Sequence, residues 1–390
     1  MTRAPLPAES LSGSLVPPGQ GHTLPQAAYT SAEVFEWEQT HFFEGSWVCI
    51  GRADDLDSPG AQKGVRIGAE GVLVTRAQDG GLHAFYNVCR HRGHELLEAG
   101  ACVNRSTIRC PYHAWVYELD GSLKGAPRFT GTPGFERADH SLVPLRIEEW
   151  HGWLFVNPSD DAPSFSEHTG RLGNLLEAYE CERLVSAVKH DYVVDANWKI
   201  ITENYHECYH CTNIHPELCK VTPPDSGFDE VPDGAWVGGS MVLRDHAQTM
   251  SLTGESHAVM LRAVEGEARR QVLYYSLWPN LLISLHPDYV MTHLIQPISC
   301  RQSRVECEWL FAPESTDRPG FDPSYASEFW DITNRQDWHA CEAVQRGVTS
   351  RGYRQGPLSS AEHTTQQFIS LVARGYLEGR VSQPMLHGSP

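Results

Sequence analysis

Two short cysteine–histidine pairs lie in the first third of the chain, at Cys89-x-His91 and Cys110-x-x-His113. Structural zinc sites commonly take their ligands as like pairs, two cysteines and then two histidines. Here each pair supplies one sulfur and one nitrogen, which suits a [2Fe–2S] cluster whose two irons have different ligands. Two cysteines would bind one iron and two histidines the other, which raises the reduction potential over that of an all-cysteine cluster. The spacing predicts an electron-transfer site, with zinc as the alternative.

A second constellation follows about a hundred residues later, at Glu207-x-x-His210-x-x-x-x-His215, with Asn204 just upstream. The residue pattern predicts a helix over 195–213, with Glu207 and His210 on one face. His215 precedes a proline and should lie beyond the helix end. Two such histidines are typical of an iron site with two histidines and one carboxylate, which leaves positions open for dioxygen and substrate. The alternative is a buried amphipathic helix with two hydrogen-bonded histidines.

The sequence around these motifs resembles the catalytic (alpha) subunit of the Rieske non-heme iron oxygenases over nearly the whole chain. The matching segments are GSWVCIGRADDL, NVCRHRGHELLEAG, IRCPYHAWVYELDGSLKGAP, WHGWLFVNPSDD and NWK…ENY…H…H. The resemblance implies a Rieske [2Fe–2S] cluster on the two cysteine–histidine pairs and a mononuclear Fe(II) on His210 and His215. It also implies a head-to-tail homotrimer, because within one chain of this family the two metals lie too far apart for electron transfer.

The third iron ligand has to come from a distant segment, and the resemblance places it at Asp337. The surrounding stretch, Tyr325–Arg346, has helical spacing. Glu342 and Asp331 are the competing carboxylates, and a plain surface aspartate is the alternative for Asp337. The apolar stripe of this helix is expected to include Phe329, Ile332, Cys341 and Val344.

Glu207 departs from the pattern of most of the family, which has an aspartate at this position. A glutamate is found in the branch that acts on quaternary ammonium compounds, such as the glycine betaine and carnitine monooxygenases, and ENYHECYHC resembles that branch most. The resemblance implies that Glu207 bridges an iron histidine to a cluster histidine of the neighbouring subunit. Alternatively, Glu207 merely orients His210. Glu207 and Asn204 are the predicted catalytic residues.

The predicted activity is monooxygenation and N-demethylation of a small quaternary ammonium compound such as glycine betaine. Such a cation needs an aromatic cage, because its nitrogen has no hydrogen to donate. Hydroxylation of an aromatic or other hydrophobic carboxylate is one alternative, and a Rieske electron carrier without oxygenase activity is another. The aromatic side chains considered for the cage are Trp236, Tyr274, Tyr275, Trp278 and Tyr289.

Composition restricts the partners and the compartment. The net charge of −18 argues against nucleic acid and anionic membranes as partners. The sequence shows neither an apolar run of membrane-spanning length nor a secretory leader. Eleven cysteines without a framework spacing fit reduced thiols, so we expect a cytoplasmic enzyme. The chain carries no dinucleotide fingerprint, so electrons from NAD(P)H must arrive through a separate flavin and iron–sulfur reductase.

The order of these features predicts an α+β protein. Short apolar runs separated by Gly and Asp turns predict an all-β Rieske domain over residues 42–160. Residues 161–390 should form the catalytic domain, with helices packed on an antiparallel sheet. Residues 1–41, with five prolines among the first thirty, are predicted to form an N-terminal arm.

Overall fold

The computed structural model describes residues 2–17, 19–159 and 161–381. These residues form two compact units. The described residues from Gln39 to Pro163 make the smaller unit, and those up to Glu38 together with those from Ser164 onward make the larger one. The stretch predicted as an N-terminal arm is thus divided, since most of it groups with the larger unit.

The smaller unit is built from antiparallel β-structure, as the alternation of apolar runs and turns predicts. Its strands are β1 Val48–Arg52, β2 Ala61–Ile67, β3 Glu70–Arg76, β4 Leu82–Tyr86, β5 Cys102–Asn104, β6 Ile108–Arg109, β7 Val116–Tyr117, β8 Leu123–Gly125, β9 Pro144–Trp150 and β10 Trp153–Asn157. Seven of them form one sheet in the order β1-β10-β9-β4-β3-β2-β5, and β6-β7-β8 form a small second sheet. The two cysteine–histidine pairs lie in the loop after β4 and the loop between β6 and β7.

The larger unit contains a six-stranded antiparallel sheet in the order β11-β16-β15-β14-β13-β12. Its strands are β11 Val185–Val194, β12 Trp236–Val242, β13 Gln271–Leu277, β14 Leu281–Leu285, β15 Tyr289–Ser299 and β16 Gln302–Phe311. Its helices are α1 Gln26–Thr30, α2 Ala32–Glu38, α3 Phe165–Thr169, α4 Leu172–Leu176, α5 Trp198–Tyr205, α6 Cys211–Ile214, α7 Pro216–Val221, α8 Pro313–Thr316, α9 Ser324–Val348 and α10 His363–Glu378. The predicted α+β class, an all-β unit followed by helices on an antiparallel sheet, is confirmed.

The single helix predicted over 195–213 is wrong. Helix α5 begins at Trp198, where the Asn197 side chain accepts a hydrogen bond from the Lys199 amide at 3.0 Å, and it ends at Tyr205. Tighter bonds close its last turn, because the His206 amide donates to the carbonyl of Glu203, three residues earlier. Glu207 and His210 consequently lie in the turn between α5 and α6 and not on one helical face.

His215 and Asp337 occupy the local structures that the sequence predicts for them. His215 follows α6 in a non-helical conformation, and Pro216 opens α7. Asp337 lies within α9, which spans 25 residues. The predicted apolar stripe is half correct. Phe329 and Cys341 are buried, whereas Ile332 and Val344 are exposed.

A buried ion pair anchors the start of α5. The Lys199 ammonium lies 2.6 Å from Glu38, and both side chains are fully buried. Glu38 also accepts hydrogen bonds from the Trp198 indole and the Tyr376 hydroxyl. Since a buried charge is tolerated when it is paired and hydrogen-bonded, this cluster fixes the helix that leads to the histidines. Among the described residues, no helix is long and apolar enough to span a bilayer.

Candidate metal centres

Three side chains from two distant segments converge at one point of the larger unit. His210 Nε2 lies 3.2 Å from His215 Nε2 and 3.3 Å from Asp337 Oδ1, and His215 Nε2 lies 2.9 Å from the same carboxylate oxygen. His215 is almost completely buried, and the other two side chains are mostly buried. Two imidazoles and one carboxylate thus meet at this point. They come from the turn after α5, the residue before α7 and the middle of α9.

The opposite nitrogen of each imidazole is tied to a neighbouring side chain. His210 Nδ1–H donates to Glu207, whose second oxygen accepts from the His210 amide at 3.1 Å. His215 Nδ1–H donates to Gln336 Oε1 at 2.7 Å. Each bond fixes the ring orientation, so both Nε2 atoms face Asp337.

This donor set fits a divalent metal ion. The three distances define a triangle with a circumscribed radius of about 1.8 Å, whereas a metal–imidazole bond is about 2.1 Å long. One ion would therefore be able to reach all three donor atoms. Two histidines and one carboxylate on one face are typical of non-heme Fe(II) oxygenases.

The electrostatics of the site favour a positive charge at its centre. Burial opposes protonation of His210, but hydrogen bonds to Asp337 and Glu207 outweigh it and raise its pKa to about 9. Burial likewise favours the neutral form of Asp337, yet hydrogen bonds from both histidines hold the pKa of its carboxyl below the ordinary value. A metal cation would replace the proton that His210 holds there.

The other candidate ligands are engaged elsewhere. Asp331 binds Tyr192 and Arg335, and Glu342 accepts from the backbone of Asp195. Cys211 Sγ lies near the two histidines, but it is bonded to Cys208 in a disulfide. The expectation of reduced thiols did not anticipate this bond, which the Cys-x-x-Cys spacing could have suggested.

A cavity of about 350 Å³ opens onto the triad of His210, His215 and Asp337. The predicted catalytic residues Asn204 and Glu207 both line it. Its aromatic and imidazole lining comes from Tyr205, His206, Phe228, Tyr274 and Trp330.

Tyr274 is the one member of the predicted aromatic set that lines this cavity. Tyr275, on the opposite face of β13, packs with Trp236 at 5.8 Å between ring centroids. Trp278 packs with Trp198, and Tyr289 stacks on His286. The remaining lining residues follow from loop paths and from the break after α5, which the sequence pattern does not specify.

The two cysteine–histidine pairs meet in the smaller unit. Cys89 and Cys110 are buried in one hydrophobic cluster, and the His91 and His113 rings lie 4.5 Å apart between centroids. Backbone bonds close both loops. Gly93 donates to the Cys89 carbonyl at 3.0 Å from a left-handed conformation (φ 71°) that glycine adopts without strain.

The loops present free donor atoms of the kind a Rieske cluster needs. His91 Nδ1 is buried and has no hydrogen-bond partner among the described residues. Burial, together with nearby His113 and Arg92, lowers the pKa of His91, so its ring is held neutral as a metal ligand must be. The Tyr117 hydroxyl lies 3.3 Å from Cys89 Sγ and accepts from the Arg90 amide at 3.0 Å. An orphan imidazole nitrogen beside two buried thiols fits a cluster with mixed ligands.

Known families match both units. Residues 46–136 match the Rieske [2Fe-2S] domain, and residues 181–378 match the catalytic domain of ring hydroxylating alpha subunits. The glycine betaine monooxygenase oxygenase subunit of Chromohalobacter salexigens is 30% identical over 367 residues, covering 87% of this chain and 82% of that protein. The chain belongs to the Rieske oxygenases. The carnitine monooxygenase oxygenase subunit of Acinetobacter baumannii is also 30% identical, and the match covers 92% of this Rieske oxygenase and 95% of the Acinetobacter protein.

Solved structures agree with this assignment. The quaternary ammonium Rieske monooxygenase CntA superposes with a TM-score of 0.80 at 27% identity, covering 96% of this chain and all of that one. Naphthalene 1,2-dioxygenase from Rhodococcus shares the fold, with a TM-score of 0.73 at 19% identity. Membership confirms the predicted O2-dependent oxidoreductase, with a Rieske cluster, a mononuclear iron and a reductase as its source of electrons. The predicted likeness to glycine betaine and carnitine monooxygenases is confirmed as well.

Proposed function

We propose that this Rieske oxygenase hydroxylates an N-methyl group of a small quaternary ammonium compound. One observation carries the proposal: the convergent triad of His210, His215 and Asp337 opens into a cavity with aromatic walls. Aromatic faces attract a cation that has no hydrogen to donate, and they do so best when water is excluded. The relatives named for glycine betaine and carnitine act on such cations.

The roles of the chain's own residues follow from their contacts. His210, His215 and Asp337 would hold the iron, which supplies dioxygen activation when it is bound. Glu207 and Gln336 hold the two imidazoles in orientation. The aromatic walls would place an N-methyl group at the open side of the triad. Cys89, His91, Cys110 and His113 would hold the cluster.

The overall reaction balances with two electrons from the reductase. The N-methyl compound, dioxygen, two electrons and two protons give an N-hydroxymethyl ammonium and water. That product is unstable, and it breaks its N–C bond to release formaldehyde and a protonated tertiary amine. Loss of one methyl group as formaldehyde is therefore the expected signature.

We further propose that Glu207 forms a hydrogen-bonded bridge on the path of electron transfer between subunits of a homotrimer. Its carboxylate already bonds to His210 Nδ1, and a cluster histidine of a neighbouring subunit would approach from the other side. CntA is described in connection with inter-subunit electron transfer, which supports this arrangement. A cytoplasmic location, with the reductase as a separate partner, completes the proposal.

Substrate-dependent oxygen uptake tests the activity. The protein reconstituted with iron, sulfide and a reductase should consume oxygen and release equimolar formaldehyde with trimethylammonium compounds. Aromatic carboxylates serve as the comparison set. Oxygen uptake with a hydroxylated aromatic acid as product, and none with ammonium compounds, would replace the proposal by its main alternative.

Mixed oligomers test the bridge. Co-expressed His113→Ala and Asp337→Ala subunits each lack one metal centre, so each is inactive alone. Mixed trimers should regain activity, because an intact cluster of one subunit would face an intact iron of the next. A mixture as inactive as its parents would contradict transfer between subunits. Glu207→Ala should lose turnover and also weaken iron binding, because it removes the acceptor at His210 Nδ1. Glu207→Gln should keep the acceptor and the iron, so a loss of turnover in that variant separates electron transfer from orientation of the imidazole.

A further inference from the structure

The cavity that opens onto the triad has an unusual charge distribution for a site that would take a betaine. Four carboxylates line it, those of Glu207, Asp225, Asp229 and Asp337. None of the described lining residues is a lysine or an arginine. Away from the metal position, a substrate carboxylate inside this cavity would therefore lose water without gaining a cationic side chain as a partner.

Two of these carboxylates lie at the mouth. Asp225 and Asp229 are exposed and belong to the loop before β12, whereas the side chains of His215 and Asp337 are only 2% and 17% exposed. Asp229 accepts hydrogen bonds from His363 at 3.0 Å and Thr364 at 2.7 Å, which lower the pKa of its carboxyl and keep it ionised. Asp225 forms no ion pair with any described residue.

The lining near Asp229 offers a neutral polar partner. His206 is about nine-tenths buried and lines the cavity, and its Nε2 has no hydrogen-bond partner among the described residues. Burial, opposed only by the charge of Asp229, lowers the pKa of His206 to about 3, so its ring is neutral. A neutral imidazole exchanges hydrogen bonds with a hydroxyl or an amide but does not neutralise a carboxylate.

We propose that the substrate is a quaternary ammonium compound whose other end is uncharged, an alcohol or an amide, and not a betaine carboxylate. This inference rests on the proposed function. The ammonium group would lie among the aromatic walls beside the triad. The opposite end would reach the mouth, where Asp225 and Asp229 repel an anion and His206 accepts a neutral polar group.

Calorimetric binding to the anaerobic holoenzyme tests the inference without turnover. Choline, betaine amide and glycine betaine share the trimethylammonium group and differ at the other end. The alcohol and the amide should bind at least about tenfold tighter than the carboxylate, which corresponds to about 1.4 kcal/mol. Equal or tighter binding of glycine betaine would overturn the inference.

Two further probes separate this result from a failure of the proposed function. The alcohol 3,3-dimethylbutan-1-ol has the shape of choline but carries no charge, so it should bind far more weakly. If it binds as well as choline, recognition of the ammonium group fails and the proposed function fails with it. If it binds weakly while glycine betaine binds best, the proposed function stands and the inference about the uncharged end is wrong.

A charge reversal at the mouth tests whether its carboxylates cause the preference for an uncharged end. Asp225→Lys should strengthen glycine betaine binding several-fold and leave choline weaker or unchanged. Asp245→Lys is the matched control, because Asp245 is fully exposed and does not line the cavity. A preference for the uncharged end that Asp225→Lys does not alter would overturn the assignment to the mouth carboxylates. Raised salt should shrink the preference in the native protein, because it screens exposed charges.

Discussion

The two candidate metal centres of this Rieske oxygenase are built in opposite ways. The four candidate cluster ligands all lie within residues 89–113, and backbone hydrogen bonds hold their loops. The candidate iron centre joins His215 to Asp337 across 122 residues, and hydrogen bonds that the imidazoles donate to Glu207 and Gln336 orient the rings. The cluster site is therefore a local structure, whereas the iron site exists only once the larger unit has folded.

The difference extends to how completely each site is formed without its metal. In the iron centre both imidazoles have a partner at Nδ1, and the two Nε2 atoms already face one carboxylate. In the cluster loops His91 Nδ1 is buried without a partner among the described residues. An unpaired buried nitrogen costs about 1–3 kcal/mol, so the cluster should contribute more to the order of its loops than the iron contributes to its site.

Removal of one ligand from each centre gives the largest expected effect. Asp337→Ala should empty the mononuclear site and abolish turnover while it leaves the cluster absorption intact, because the cluster ligands lie in another unit. Cys89→Ser should do the reverse to the metals, with loss of the cluster and retention of the mononuclear iron. Iron and acid-labile sulfide analysis with EPR measures both. Normal iron occupancy in Asp337→Ala would move the ligand role to another carboxylate.

The hydrogen bond to His215 should have the next largest effect. Gln336→Met removes the acceptor at His215 Nδ1 and keeps the length of the side chain, so iron affinity should fall about 10- to 100-fold. Gln336→Glu restores an acceptor and is the control. Iron retention against a chelator series measures the affinity. Equal retention in both variants would show that packing alone orients the imidazole.

The sequence predicts the candidate cluster site more completely than the candidate iron site, and the reasons are physical. The candidate cluster ligands can be predicted because they lie in two short motifs whose local loops position them. The spacing of His210 and His215 indicates an iron site, but it does not predict the turn at His206, since end-of-helix hydrogen bonds depend on tertiary packing. Only the family resemblance indicates Asp337, because no local pattern connects it to residues 122 positions away. The orienting role of Gln336 left no signal in the sequence.

The residues at the mouth of the cavity could not be predicted from the sequence either, because their positions depend on tertiary packing. Its carboxylates lie on a loop whose path the sequence does not fix. The predicted aromatic set contained one lining residue, Tyr274, and missed Tyr205 and Trp330. Alternation along β13 did separate Tyr274 from Tyr275, because strand periodicity is a local property.

A largely enclosed carboxyl on α5, that of Glu203, predicts a pH dependence of stability in the larger unit. Burial raises the pKa of Glu203 to about 8, although hydrogen bonding from Tyr29 and the charge of Lys199 oppose it. Between its ordinary value and about 8 the native state keeps a proton that the unfolded chain has released. The free energy of unfolding should fall as the pH rises through this range, by at most about 1.4 kcal/mol per unit.

Glu203→Gln should remove that slope and stabilise the protein at neutral pH relative to the native chain. Chemical denaturation at several pH values, monitored in the larger unit by hydrogen exchange, measures the difference. The glutamine side chain still offers an oxygen that accepts the hydrogen bond from Tyr29, so the variant changes the titration and not this hydrogen bond. Parallel pH profiles for the variant and the native protein would contradict the assignment.

The smallest effect is expected at the cluster and tests how far its loops tune the metal. The Tyr117 hydroxyl lies 3.3 Å from Cys89 Sγ, and a cluster sulfur accepts a stronger hydrogen bond in the reduced, more negative state. Tyr117→Phe should therefore lower the reduction potential, by about 40 mV if the bond differs by about 1 kcal/mol between the two states. Direct electrochemistry of the holoenzyme measures the shift. An unchanged potential would mean that the hydroxyl only accepts the hydrogen bond from the Arg90 amide. The Tyr117 side chain would then not affect the reduction potential of the cluster, in contrast to the side chains that orient the imidazoles of the iron centre.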